Sequence, residues 1–187
     1  MNFASRYINR NINYPAFVIE PPAKDLGLVV IIPCYDEPEI LDTIRSLAAC
    51  HRPVQGVEVL VVVNQSEQSP LEVERQNAQT IQTLEDWKKK NKQVFFKLHL
   101  VMPPPFRKKY AGAGLARKTG MDEAVRRFVA LDKPRGVLIS LDADTTVNPN
   151  YFLEIEKHFQ YEKKCVGATI RFQHRVDELA DDAHRQG

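Results

Sequence analysis

Cysteine is scarce in this 187-residue chain: Cys34, Cys50 and Cys165 form an odd set with no metal-ligand spacing. That excludes a disulfide framework and a thiolate metal site, and it predicts reduced, mostly buried thiols in a cytosolic setting. A charge excess is missing too. Lysine and arginine number 26 against 24 acidic residues, a net +2 that by itself gives no reason to expect nucleic acid as a partner. No apolar run approaches the roughly 20 residues needed to cross a bilayer; the longest, residues 26–33, has the length of a strand. The first 17 residues, MNFASRYINRNINYPAF, lack the continuous apolar core of a signal peptide. No internal repeat or low-complexity segment is present. A hydrophobic share of 43% with 27% charged residues then describes one ordinary globular domain with a proper core.

What is there alternates regularly. Residues 1–25 are polar and punctuated by Tyr14-Pro15 and Pro21-Pro22, which predicts an extended arm over the domain. LGLVVIIP at 26–33 reads as a buried strand, and Ile40, Leu41, Ile44, Leu47 and Ala48 then recur at helical spacing. VEVLVVV at 57–63 is a second strand, so the first crossover is a βαβ unit. Residues 70–90, free of glycine and interior proline, predict a long helix with Ala78, Ile81, Leu84 and Trp87 inward and a solvated Lys88-Lys89-Lys90 end. VFFKLHLVM at 94–102 is a third strand, with His99 expected at its surface. A helix follows around Met121, Ala124, Val125, Phe128 and Val129, then a strand, a helix over 149–161 and a last strand, CVGATIRF, at 165–172. The fold class expected is α/β: a doubly wound, mostly parallel sheet with helices on both faces, spanning 26–172, with a polar tail at 173–187.

The chemistry concentrates at GVLISLDADTT, residues 136–146. An apolar run rich in Val, Ile and Leu, bounded by Pro134-Arg135-Gly136, predicts a buried parallel strand. It stops at Asp142 and Asp144, which lie two apart on a strand and so share a face. A lone aspartate after a strand is usually a turn former or a helix cap. Here the next helix has its own start signal, Asn148 before Pro149, which frees both carboxylates. Two hard oxygen donors at the carboxyl edge of an open sheet suit Mg²⁺ or Mn²⁺ carrying a phosphate group. A second stretch, AGAGLARKTG at 111–120, opens a helix with small residues plus Arg117 and Lys118, a place that attracts anions. The bland alternative is that Gly112 and Gly114 only permit close packing.

Three stretches in order, VVIIPCYDEPEILDTIRSL, AGAGLARKTGMDEA and GVLISLDADTTVNPNYF, resemble the family 2 glycosyltransferases of the GT-A fold. That family shows Pro-x-Tyr-Asn-Glu after its first strand, Asp-Asp-Gly-Ser after its second, a Gly-x-x-x-Ala-Arg-Asn-x-Gly element and a later Asp-x-Asp. The resemblance implies that Pro33, Tyr35 and Glu37 border the base and ribose and that Asn64 meets the base. It places Arg117 and Lys118 near the nucleotide, and gives Asp142 and Asp144 the ribose and the divalent metal. Asn64-Gln65-Ser66 departs from Asp-Asp-Gly-Ser, and Lys118 replaces the family's asparagine.

The function implied is binding of a UDP-, GDP- or dTDP-linked sugar, for inverting transfer to an unknown saccharide or lipid acceptor. Cytoplasmic location, possible association with the inner face of a membrane and no nucleic-acid partner complete the expectation. The general base is unidentified: Asp177, Glu178, Asp181 and Asp182 sit on the short polar tail and read as a solvated face. The chain therefore reads as the donor-binding half of a larger enzyme, binding donor without efficient transfer. Two alternatives stand beside this. One is a non-catalytic nucleotide-sugar-binding or interaction domain. The other is a haloacid-dehalogenase-type phosphatase with Asp142 as nucleophile and Asp144 as acid/base, a motif that normally ends the first core strand.

Overall fold

The structure, a computed structural model, describes residues 3–12 and 14–173. The elements run α1 (Phe3–Asn11), β1 (Leu26–Cys34), α2 (Ile40–Ala48), β2 (Gly56–Val63), α3 (Leu71–Lys90), β3 (Phe96–Val101), α4 (Ala113–Ala130), β4 (Val137–Ser140) and α5 (Tyr151–Tyr161). The strands form one all-parallel sheet in the order β3-β2-β1-β4. This is the α/β, doubly wound arrangement that alternating apolar strands and helices dictate. β1 is central and all nine of its residues are buried, as a strand covered on both faces must be.

The two faces carry separate cores. Odd-numbered β2 residues Val57, Val59 and Val61 join Ile40, Ile44 and Leu47 of α2, Leu84 of α3 and Phe152 of α5. Leu60 and Val62 turn the other way, with Val29 and Ile31, toward Ala116, Ala124 and Phe128 of α4. Tyr14, Phe17 and Val18 pack on that second core.

Four details depart from the sequence reading. Residues 3–11, free of glycine and proline, form a helix that docks on α4 instead of an extended arm; Tyr7 donates to Asp122 at 2.9 Å. The inward face of α3 is Val73, Asn77, Thr80 and Leu84, and Ala78 points to solvent. Leu84 is inward as expected and Ile81 and Trp87 pack against the same core, so the expectation fails at Ala78 alone; the polar Asn77 and Thr80, which hydrophobicity does not reveal, complete the stripe. α5 starts at Tyr151 after Asn150 with no side-chain cap, two residues later than Asn148-Pro149 suggested. Residues 165–172 form no strand: Val166 is fully exposed and Phe172 is 74% exposed. Their alternating pattern needs a neighbouring strand and a face to cover, and the described residues provide neither.

Candidate functional site

The order β3-β2-β1-β4 reverses direction at β1: the chain steps outward to β2 and β3, then returns to the far side of β1 for β4. In open parallel sheets the crevice beyond the carboxyl ends at such a reversal is where ligands bind. The residues that follow β1, β2 and β4 here are Tyr35-Asp36-Glu37, Asn64 and Leu141-Asp142-Ala143-Asp144. Most of the sequence-predicted site is thus assembled by topology alone.

β4 ends beside β1, with the Leu141 N–H donating to the Ile31 carbonyl at 3.0 Å. Alternation then continues past the strand. Leu141 and Ala143 are buried, and Asp142 and Asp144 between and after them are exposed. α2 holds the inner side of this segment. The buried Thr43 hydroxyl donates to the Ala143 carbonyl at 2.6 Å, and the Val147 N–H donates to Ser46 Oγ at 3.2 Å. From α4 on the other face, Arg117 Nη2 donates to Asp142 Oδ1 at 2.7 Å. Asp144 has no cationic partner among the described residues; the neighbouring Thr145 hydroxyl lies 3.4 Å from its Oδ1.

The glycine-rich stretch divides its labour. Gly112 has φ +147°, a backbone angle that side chains resist, and it immediately precedes α4. Ala116 is fully buried, and a methyl group placed on Gly120 would lie 2.5 Å from Ile31 Cγ2 and 2.9 Å from Val62 Cγ2. Ala116 and Gly120, one turn apart, therefore let α4 lie close on β1 and β2. Arg117 follows on the adjacent face and reaches Asp142. Close packing is the work of Gly120; a side chain at Gly112 or Gly114 would meet open space.

On the β2 side, the Asn64 N–H donates to the Cys34 carbonyl at 3.0 Å. Asn64 is 2% exposed, and its Oδ1 has no hydrogen-bond partner. A buried acceptor left unpaired costs about 1–3 kcal/mol, which makes it the clearest unfilled demand for a donor near the crevice. Arg117 Nε is likewise buried and unpartnered.

Sequence reasoning missed the residues that hold this corner. Asn77 of α3 accepts from the Asp36 N–H at 3.1 Å and donates to the Asn64 carbonyl at 3.0 Å. One turn on, Thr80 donates to the Glu37 carbonyl at 3.2 Å. Asp36 is thereby kept at φ 52°, unusual for a residue with a side chain. The available signal was two polar residues on the buried stripe of α3.

Of the predicted residues, Pro33 is buried in β1, Tyr35 is 48% exposed just past it and Glu37 is half-buried, accepting from the Glu39 N–H. Lys118 does not join the others. Its ammonium donates to Asp122 at 2.6 Å and to the Asn11 carbonyl at 3.0 Å, which ties α4 to α1. One residue along a helix turns the side chain by about 100°, so Arg117 and Lys118 serve different neighbours. The tail acids Asp177, Glu178, Asp181 and Asp182 lie outside the described residues.

Among the described residues no group of three or more histidine, cysteine or acidic side chains forms a metal cage. The donor set on offer is the pair Asp142 and Asp144. That suits a hard cation which keeps waters and takes phosphate oxygens as its remaining ligands, as Mg²⁺ does.

No protein-family model matches the chain, and no curated protein matches it. Among solved structures it is similar to S. aureus TarS 1–349, at 20% identity and a TM-score of 0.48 over 82% of this chain and 40% of that one. It is similar also to TarS 1–349 in complex with UDP, at 21% identity and a TM-score of 0.48 over 74% of this chain and 33% of that one. With UDP-GlcNAc bound, TarS 1–349 matches at 21% identity and a TM-score of 0.46, over 74% and 32%. The chain spans two fifths or less of the length of these structures.

Proposed function

We propose that this domain binds a nucleoside-diphosphate sugar at the β1/β4 reversal, as the donor-binding part of a family 2-like glycosyltransferase of the GT-A type. The observation that carries the reading is one constellation. An Arg117–Asp142 pair and an Asp144 with no cationic partner among the described residues share a sheet edge with a buried, unpartnered Asn64 acceptor. Tyr35 and Glu37 line the end of β1 beside it.

In this reading Asn64 Oδ1 accepts from a base N–H, and its amide nitrogen is able to donate in return. Tyr35 offers an exposed ring to the nucleoside. Asp144, with Asp142, would hold Mg²⁺ or Mn²⁺. When bound, that ion would neutralise charge developing on the departing diphosphate. Arg117 orients Asp142 and adds its own positive charge at the same edge. The phosphatase alternative loses support from topology, because Asp142 follows the fourth strand in chain order rather than the first.

Calorimetric titration with UDP, GDP and dTDP, each with and without Mn²⁺, tests the proposal. One of the three binds in a Mn²⁺-dependent way, and Asp144→Ala weakens that binding at least about tenfold, the equivalent of one lost charge-assisted contact. Absence of binding to all three, or binding indifferent to Mn²⁺ and to Asp144→Ala, overturns it.

A further inference from the structure

We propose that the opposite edge of the sheet, where all four strands begin, is a docking face for an anionic lipid bilayer. The proposal rests on the distribution of charge and exposed apolar groups and is independent of the donor site.

Parallel strands joined by helices gather every return connection at one edge. Here these are residues 20–25 before β1, 49–55 before β2, 88–95 at the end of α3, 131–136 before β4 and 162–164 after α5. Direct bonds tie them together. Glu156 of α5 accepts from the Val54 and Gln55 N–H groups at 3.0 and 2.8 Å. Arg135 donates to the Lys163 carbonyl at 3.3 Å, and Lys133 donates to the Lys24 and Leu26 carbonyls at 2.7 and 2.9 Å. Phe95 meets Phe152 edge-on at 5.7 Å between ring centroids.

These five segments hold ten lysines and arginines against four carboxylates. Among the described residues only Lys89 of the ten is ion-paired, to Asp86 at 3.3 Å. Lys133 and Arg135 bond to backbone carbonyls, not to carboxylates. The connections at the other edge, 35–39, 64–70, 102–112 and 141–148, hold six carboxylates against three cations. A chain of net charge +2 is therefore polarised along its strands, by roughly 25–30 Å for strands of eight or nine residues.

Apolar groups decide which polyanion fits. Val54 in the 49–55 connection is 86% exposed, Tyr161 at the end of α5 is 75% exposed, and Ile19 beside Glu20 is 94% exposed. Isolated aliphatic and tyrosine side chains among lysines match the bilayer interface, where apolar bodies enter and cations stay with the headgroups. A nucleic-acid phosphate backbone gives aliphatic side chains nothing to bury against. Each cation near an anionic leaflet is worth roughly fivefold in affinity. Docked this way, the acidic edge with Asp142 and Asp144 faces away from the lipid charge.

Vesicle co-sedimentation of the full chain decides the matter, using phosphatidylcholine alone and phosphatidylcholine mixed with phosphatidylglycerol. Binding is expected only to the mixed vesicles, weakening as salt rises. Lys88→Glu/Lys89→Glu/Lys90→Glu should reduce it at least about tenfold. Arg107→Glu/Lys108→Glu/Lys109→Glu, with the same change in net charge at the opposite edge, should leave it within about twofold, because that edge lies beyond a Debye length. Val54→Trp adds a reporter whose emission should shift to the blue with mixed vesicles. Equal loss in the two triple variants, no preference for the mixed vesicles, or full displacement by duplex DNA overturns the proposal.

Discussion

Gly114 and Gly120 lie six residues apart in α4 and answer to different constraints. Gly120 sits against Ile31 and Val62, so Gly120→Ala should cost about 1–3 kcal/mol as the helix is pushed off the sheet. Gly114 has open space around it, and Gly114→Ala should be neutral or stabilise by up to about 1 kcal/mol. Urea melts of the two variants read the contrast directly. Asn64 is the other residue with an uneven account. Its side-chain acceptor is buried without a partner, so Asn64→Ala relieves that penalty while it leaves a small cavity, and the two should nearly cancel, to within about 1 kcal/mol. The same substitution should weaken nucleotide binding at least about tenfold if Asn64 accepts from the base as proposed. A large loss of stability with unchanged binding would show that Asn64 is purely structural.

At the scale of elements, the segment leading into β1 is held by charge in the interior. Arg127 of α4 and Glu58 of β2 form a bidentate pair, both almost fully buried, and Arg127 also donates to the Glu20 carbonyl at 3.0 Å. Removing one partner strands the other, so Arg127→Ala should destabilise by about 3–5 kcal/mol and expose residues 14–25 to protease. His99 lies against the same pair, buried where the sequence suggested a strand surface. Burial lowers its pKa to about 4, and the Glu58 carboxylate only partly offsets that. A histidine that protonates more readily when unfolded contributes stability in full above its ordinary pKa near 6.5. That contribution is lost as pH falls from there toward 4. His99→Gln should flatten the stability profile between those two values, measured by thermal melts across pH.

How far the elements were legible follows from the same physics. β1 and β2 announced themselves because strands buried on both faces are apolar without interruption. In α3 the pattern identifies Ile81, Leu84 and Trp87 on the core side, but not Asn77 and Thr80, whose polar side chains face inward to bond the loops of the site. His99 was misread because its cover comes from chain distant in sequence. Residues 165–172 carry a strand pattern, but a strand exists only where another edge accepts it. Asp142, Asp144, Asn64 and Arg117 were visible as residue types after strands or at a helix start. Lys118 was not separable from Arg117 in one dimension; the docking of α1 on α4 decides where each points.

Over the whole molecule, a parallel sheet with one reversal sorts residues between two edges. The carboxyl edge gathers the acidic pair, the unpartnered Asn64 and Arg117. The amino edge gathers the return connections and most of their cations. Among the described residues no helix is long and apolar enough to cross a membrane. Relaxation by bound Mn²⁺ in amide NMR spectra, recorded in turn with saturating UDP, GDP and dTDP, tests the placement of the site most directly. The central claim predicts broadening of the Asn64 and Ala143–Thr145 amides, while those of residues 88–92 at the far edge stay sharp. Broadening at the far edge, or none near Asp142 and Asp144, would contradict it.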